Sequence, residues 1–468
     1  TTMNLKKIVV VLAATSICAS AHSIRRLRRA QKPLTPAYDP FYLAPEGWEK
    51  AKPGTVLAHR AIQPGFTSKN KINLDSAYQI LYRTNGIDEN DPIYTATTVL
   101  VPANARKDKL VLILAYQDSN SIECAPSYLI QSGAPVLTNP VQVAQEMIWT
   151  SVLNDGWIVS IPDHEGPRAA FSSGILEGHA SLDGVRATLG FDKLQMDPKS
   201  PVVGMGYSGG AIAGGWAASL HSTYASDINI AGWALGGTPS NMTATTFGLN
   251  NGLFAGLTTA GIAGIVDTYP EANDYVGSVI THEGNSALQF TREHCMGDIL
   301  LGLANTNIMN ESFFKNSNKF LDDPKIRSLL DKLTLGKNPK LTPDAPVYMY
   351  HALHDEVIDF KMANATAQQW CDNEAELFFH VYTGLEMGHV STELLNSPLV
   401  LRFIRDRMDQ KPFVQGCQWK SDLNPMWNLD VFEAKIKEVL NSINDFFGAN
   451  IGKGDALFKE KIKNGHFK

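Results

Sequence analysis

The sequence predicts an α/β protein with a mostly parallel central sheet covered by helices on both faces and a block of helices inserted late in the sheet. Three observations carry that expectation. Short, fully apolar runs such as residues 109–116 (KLVLILAY) and 157–161 (WIVSI) alternate with helix-length stretches, and strands apolar on both faces belong inside a parallel sheet. Residues 201–220 (PVVGMGYSGGAIAGGWAASL) join such a run to a small-residue helix through Gly206-Tyr207-Ser208-Gly209-Gly210, a G-x-S-x-G turn in the setting it requires. Between Pro239 and about Pro343 the strand rhythm stops, and it resumes at residues 347–351.

Taken in order, residues 55–62, 77–83 and 93–101 read as strands, the last rich in threonine and valine, and form an antiparallel opening. Residues 109–116 are the first fully buried strand, closed by Gln117-Asp118-Ser119. Residues 141–153 read as helix, and 157–161 as a second buried strand running into Pro162-Asp163-His164. Residues 182–189 read as helix, the serine turn follows, and 228–235 give a further strand ending in Gly236-Gly237-Thr238-Pro239. Residues 249–266 (LNNGLFAGLTTAGIAGIV) are small and apolar, and 326–333 are helix-like. The segment 249–266 follows a sheet strand directly and is expected to fold back over Ser208 as a roof. Gly252, Gly256, Gly261 and Gly264 would leave space there for a straight chain of methylenes. Residues 376–382 give the last strand, 392–408 and 431–447 two closing helices, and the rest a tail. The expected organisation is a leader over 1–21, a basic segment over 22–29, core over 30–240 and 344–450, an insertion over 241–343 and a tail over 451–468.

The amino-terminal region bears on compartment. After Thr1-Thr2, Met3 opens a pattern of Lys6-Lys7, an apolar run over 8–14 extending to Cys18, and Ala19-Ser20-Ala21. That is a secretory signal peptide, too short for the roughly 20 apolar residues of a membrane span. The cluster Arg25, Arg26, Arg28, Arg29 stands where propeptides are processed, and losing residues 1–29 takes the formal charge from −6 to −12. An acidic mature chain argues against nucleic acid and against tight binding to anionic lipid surfaces. Cys124, Cys295, Cys371 and Cys417 remain, an even number suited to an oxidising compartment, with three possible pairings. No Cys/His spacing fits a metal, and no cofactor is expected. Asn241, Asn310 and Asn364 open sequons.

In an α/β-hydrolase the catalytic groups follow the order Ser, acid, His, each on a turn past the carboxyl end of a strand. Gly206 and Gly210 flank Ser208 where strand and helix nearly touch. The next sheet strand ends in His354-Asp355-Glu356, which makes Asp355 the acid, whereas Asp359 sits where a helix starting near Lys361 needs a cap. The last strand is followed by Gly388-His389, so His389 is the base. Gly209 N–H is one oxyanion donor, and the turn after residues 109–116 points to the Asp118 N–H as the other.

These motifs together resemble the fungal secretory lipases, the Candida antarctica lipase A-like group that includes secreted yeast lipases. The likeness runs from about residue 38 to 447 and rests on AYQDSN (115–120), PDHEGP (162–167), GYSGGA (206–211), HDE (354–356) and GH (388–389). It implies an α/β-hydrolase fold with a helical cap, the triad Ser208, Asp355 and His389, and an oxyanion role for Asp118. It also implies the pairs Cys124 with Cys295 and Cys371 with Cys417. The implied activity is hydrolysis of fatty acyl esters such as triacylglycerols at an oil–water interface by a secreted enzyme, with acyl transfer to alcohols in some members. Two other functions fit the elbow: a serine peptidase of the same fold and a non-catalytic binding protein. The first often carries a repeat propeller, and no repeats are visible; the second normally has a broken triad.

Overall fold

Alternation along single strands builds two cores. In β4 (Arg106–Leu114), Leu110, Leu112 and Leu114 join one buried cluster while Val111 and Ile113 join the other. The same division recurs in β7 (Ile230–Gly236), with Trp233 and Leu235 against Ala234, and in β8 (Val347–Ala352), with Val347 and Met349 against Tyr348 and Tyr350. A strand apolar on both faces must be covered on both, so the sheet is the middle layer.

The computed structural model describes residues 32–65, 74–135 and 140–425. The signal peptide expected over 1–21, the basic segment 22–29, the helix expected over 431–447 and the tail 451–468 lie outside the described residues. The remaining strands are β1 (Val56–Ala61), β2 (Leu74–Asn85), β3 (Pro92–Pro102), β5 (Trp157–Pro162), β6 (Val202–Tyr207), β9 (Leu377–Tyr382) and β10 (Cys417–Asp422). They form one ten-stranded sheet in the order β1-β2-β3-β5-β4-β6-β7-β8-β9-β10. The pairs from β1 to β5 along that order are antiparallel, and all pairs beyond are parallel.

After the one-turn α1 (Pro126–Leu129), the helices divide between the faces. On the first core lie α3 (Gly174–Leu189) and α4 (Gly209–Tyr224), through Leu182, Val185, Ile212 and Trp216. On the second lies α2 (Pro140–Asn154), through Ile148, Trp149 and Val152. Between β7 and β8 stand α5 (Met242–Leu249), α6 (Ala255–Thr268), α7 (Pro270–Val279), α8 (His282–Glu293), α9 (Met296–Gly302) and α10 (Pro324–Lys332). This helical insertion is the cap, and no strand interrupts it among the described residues. The helices α11 (Phe360–Asp372) and α12 (His389–Met408) close the fold, α12 packing Leu394, Leu401 and Ile404 into the second core.

The edge strand β10 is absent from the sequence expectation. Its CQWKSD has neither an apolar run nor alternation, and its side chains are mostly exposed. What holds it is tertiary: a six-residue parallel ladder on β9, the Cys371–Cys417 disulfide to the end of α11, and His380 Nε2 at 2.7 Å from Asp422 Oδ2. The other disulfide, Cys124–Cys295, ties the segment after β4 to the start of α9 in the cap.

Candidate active site

The sharp turn at Ser208 follows from how closely α4 approaches β6 and β4. A Cβ on Gly206 would lie 2.2 Å from the Gly210 carbonyl oxygen, and one on Gly210 would lie 2.0 Å from that of Leu114. Only hydrogen fits at either position. Ser208 itself takes φ 51° and ψ −122°, a backbone region that L-residues rarely occupy, and its N–H donates to the Gly236 carbonyl at 3.0 Å. The hydroxyl is thereby presented at the carboxyl end of the parallel strands, with the first turn of α4 beneath it.

Asp355 and His389 come from the ends of β8 and β9, as the chain order required. His389 is the first residue of α12, and its N–H donates to Glu356 Oε2 at 3.1 Å. Its Nδ1 lies 2.8 Å from Asp355 Oδ2 and its Nε2 2.9 Å from Ser208 Oγ. The other Asp355 oxygen accepts the N–H groups of Val357 and Ile358 at 2.9 and 2.8 Å, which fixes the carboxylate plane. Burial alone would raise the Asp355 carboxyl, but the His389 ring outweighs it and holds the group below its ordinary value. Burial likewise disfavours charge on His389, and Asp355 overrides it, so the imidazole titrates above its ordinary value. Asp359 takes no part in this line. Its Oδ1 accepts the Lys361 N–H at 2.9 Å and caps α11.

At Gly209 and Asp118, the expected oxyanion donors, the hydrogen bonding differs from the sequence expectation in one atom. Gly209 opens α4 with a first-turn N–H that has no intrahelical partner. The Asp118 N–H is already taken, donating to Glu165 Oε1 at 3.0 Å. The residue sits at φ 50°, and its carboxyl lies over Gly209, where a Cβ would fall 1.8 Å from Asp118 Oδ1. Burial pushes that carboxyl up to about 7, so it is a neutral O–H carrier in acidic solution.

Behind Asp118 lies a layer of buried acids that sequence reasoning did not pick out as a group. Burial and the neighbouring Glu177 hold Glu165 far above the usual carboxylate range. His164 donates from Nε2 to the Ala115 carbonyl at 2.9 Å and places Nδ1 3.5 Å from Glu177 Oε2. Glu393, one turn into α12 beside His389, is pushed by burial to about 8 and is hydrogen-bonded to Tyr116. The PDHEGP motif contains His164 and Glu165, but nothing in the letters marks their protonation.

A cavity opens from Ser208 and Gly209 under the cap. Its walls are Phe171, Ile212, Leu257, Ile262, Ile265 and Leu329, with Gly261 between them. The segment 249–266 therefore does line the space over the serine, but its glycines do not share one purpose. A Cβ on Gly256 would fall 2.5 Å from the Ile299 carbonyl oxygen, and one on Gly264 1.9 Å from that of Phe171. These two let α6 pack against α9 and against the backbone at Phe171; only Gly261 lines the cavity. A second, smaller cavity at the serine is lined by Tyr116, Leu257, Met296, Val357, His389 and Glu393.

Of the sequon asparagines, Asn241 caps α5 by accepting the Ala244 N–H at 2.9 Å, and Asn310 accepts the Ser312 N–H at 2.8 Å. Asn364 lies within α11 and accepts the Trp419 Nε1–H at 3.0 Å. No group of three His, Cys, Asp or Glu side chains among the described residues is arranged to hold a metal. No helix among them is long and apolar enough to cross a membrane.

A model of the secretory lipase family matches residues 130–416. In sequence the chain is similar to a secreted triacylglycerol lipase of Malassezia globosa, 60% identical over 467 residues that make up 98% of each chain. It is also similar to one from Malassezia restricta, 44% identical over 446 residues, 95% of this chain and 94% of that one. Among solved structures it is similar to Candida antarctica lipase A, with a TM-score of 0.76 and 28% identity over 88% of this chain and 96% of that one.

Proposed function

The chain belongs to the secretory lipase family, and from that premise we propose that Ser208, His389 and Asp355 carry out ester hydrolysis at the mouth of an acyl-binding cavity. The protein is a secreted carboxylic ester hydrolase of fatty acyl esters such as triacylglycerols. The observation that carries the site assignment is the continuous line from Asp355 Oδ2 through His389 to Ser208 Oγ, at 2.8 and 2.9 Å, with the serine opening onto an apolar cavity.

In this reading Ser208 Oγ attacks the ester carbonyl carbon as His389 Nε2 takes its proton. Asp355 keeps the ring in the tautomer with Nδ1 protonated and stabilises the imidazolium. The tetrahedral oxyanion lies over Gly209, accepting its N–H and the O–H of the neutral Asp118 carboxyl, whose own N–H stays with Glu165. Collapse passes the His389 proton to the departing alcohol and leaves the acyl group on Ser208. Water, deprotonated by His389, then releases the fatty acid and restores the serine. An alcohol in place of that water would give acyl transfer through the same acyl-enzyme.

The mouth of the site suits an oil–water interface. Phe247 and Leu301 are exposed on α5 and α9, cap helices whose other residues line the cavities at the serine. Leu353 and Leu385 are exposed just past β8 and β9, at the end of the sheet where Asp355 and His389 stand. The test is the rate of wild type and Ser208→Ala on p-nitrophenyl esters of rising chain length and on a triglyceride emulsion. Loss of a triad member is worth about 10⁴-fold or more, so the variant should be inactive on all of them with its melting temperature preserved. Residual activity within about tenfold of wild type would remove Ser208 from the mechanism.

A further inference from the structure

Arg83, near the end of β2, is 7% exposed, yet its Nε and Nη1 are sealed from solvent with no acceptor among the described residues. A guanidinium stays charged throughout the pH range in which the fold exists, and a buried charge without a partner is strongly unfavourable. The strand leaves it little freedom to escape. Its N–H donates to the Thr55 carbonyl at 3.0 Å, and its carbonyl accepts the Gly54 N–H at 2.8 Å. Arg83 lines an open groove of about 950 Å³, and Nη2 is the guanidinium nitrogen not sealed from solvent, so an anion held in the groove meets the charge there.

The groove is positive in an acidic protein. Lys52, Arg83, Arg186 and Lys199 line it against Glu89 and Asp227, a formal balance of +2 in a chain of −6. Arg186 is bound to Asp183 and Asp227, and the exposed Lys199 reaches only the Asp227 carbonyl, from Nζ at 3.2 Å, so Arg83 and the exposed Lys52 are the lining cations with no acceptor among the described residues. Pro198, Lys199, Asp227 and Ile228 precede β6 and β7, so the groove lies at the amino ends of the parallel strands. Ser208, Asp355 and His389 stand past the carboxyl ends.

We propose that this groove binds a phosphate-type dianion, with Arg83 as its buried anchor and Lys52 and Lys199 as its exposed arms. A dianion matches the net charge, and guanidinium and ammonium groups together form the donor set that phosphate favours. The phosphate has two sources, a free ion or phosphomonoester and a phospholipid headgroup. Because the site is separate from the triad, occupancy stabilises the fold without changing ester hydrolysis.

Melting temperature should be followed in inorganic phosphate, glycerol 3-phosphate, monomeric short-chain phosphatidic acid, acetate and chloride, all at matched ionic strength. A rise of several degrees that saturates with inorganic phosphate or glycerol 3-phosphate supports a free-ion source. A rise confined to phosphatidic acid supports a headgroup. Equal shifts in acetate and chloride, or none, overturn the proposal. Arg83→Gln should abolish the phosphate shift while p-nitrophenyl butyrate turnover stays unchanged. If Arg83→Gln fails to fold, the exposed pair Lys52→Gln and Lys199→Gln, combined, should raise the half-saturating phosphate concentration about tenfold or more, and an unchanged value refutes the site. Isothermal titration with inorganic phosphate gives the same comparison directly.

Discussion

Filling the cavity at Gly261 tests whether the cap determines acyl chain length. A Cβ there would meet the Ser172 hydroxyl at 3.1 Å and Ser172 Cβ at 3.7 Å, contacts that rotation of a small side chain relieves. Anything larger than a methyl has room only in the cavity that Gly261 lines with Leu257, Ile262 and Ile265. In Gly261→Phe the ring displaces substrate. Each methylene denied burial costs about 0.8 kcal/mol, so excluding about four removes about 3 kcal/mol from the transition state of a long ester, a fall of about 200-fold in kcat/KM. Butyrate has no methylenes to lose at that depth, and its turnover should change by less than about threefold on the same reasoning. The assay is kcat/KM on p-nitrophenyl butyrate and palmitate, with melting temperature measured alongside. Gly256→Ala is the control, since its Cβ would lie 2.5 Å from the Ile299 carbonyl oxygen, a backbone atom that cannot rotate away. It should lower stability and depress both substrates alike. If Gly261→Phe, with its melting temperature preserved, lost the same factor on both esters, the cavity would not hold the acyl chain.

The remaining expectations concern carboxyl groups. Asp355→Asn should lower kcat by about 10⁴-fold through the wrong histidine tautomer, whereas Asp359→Asn, at the cap of α11, should change kcat less than about twofold; the reverse ranking would reassign the acid. Asp118→Asn keeps an N–H donor over Gly209 but cannot ionise, so wild-type kcat/KM should decline above about pH 7 while the variant, though slower, lacks that decline; parallel profiles would exclude the O–H donor. Stability should fall as pH rises between about 4.5 and 7, because burial holds protons on Asp118 and Asp163 up to about 7 and on Glu393 up to about 8 that the unfolded chain releases near pH 4, at up to about 1.4 kcal/mol per pH unit for each group. His179, lowered to about 4 chiefly by burial, and His351 and His380, also lowered by burial, oppose this only below about pH 6.5, and the raised acids outnumber them, so a melting temperature that rose from pH 5 to pH 7 would contradict the protonated acids.

The turn at Ser208 and the placement of Asp355 and His389 past strand ends were legible in the sequence because each is dictated locally. Glycine at 206 and 210 is the only residue that fits between strand and helix, and a turn past a strand end is visible as a polar break after an apolar run. The edge strand β10 was not legible because its cause is a disulfide partner 46 residues away and a ladder on β9, neither of which shapes the pattern of its own six residues. The division of labour among the α6 glycines was hidden for the same reason. Gly256 and Gly261 are five apart on one helix, yet the first faces a backbone carbonyl of α9 and the second an open cavity, and only the packing of six cap helices decides which. The oxyanion side makes the point sharpest. Asp118 could be chosen from its position after β4, but its N–H goes to a residue 47 places on, and its own burial, with Glu177 nearby, raises its carboxyl to about 7. A carboxyl group's letter reports which proton it can carry; whether it carries one at the pH of catalysis is set by distant chain that excludes water around it. The donor proposed at this site is thus a product of the fold acting on a residue whose position alone was written in the sequence.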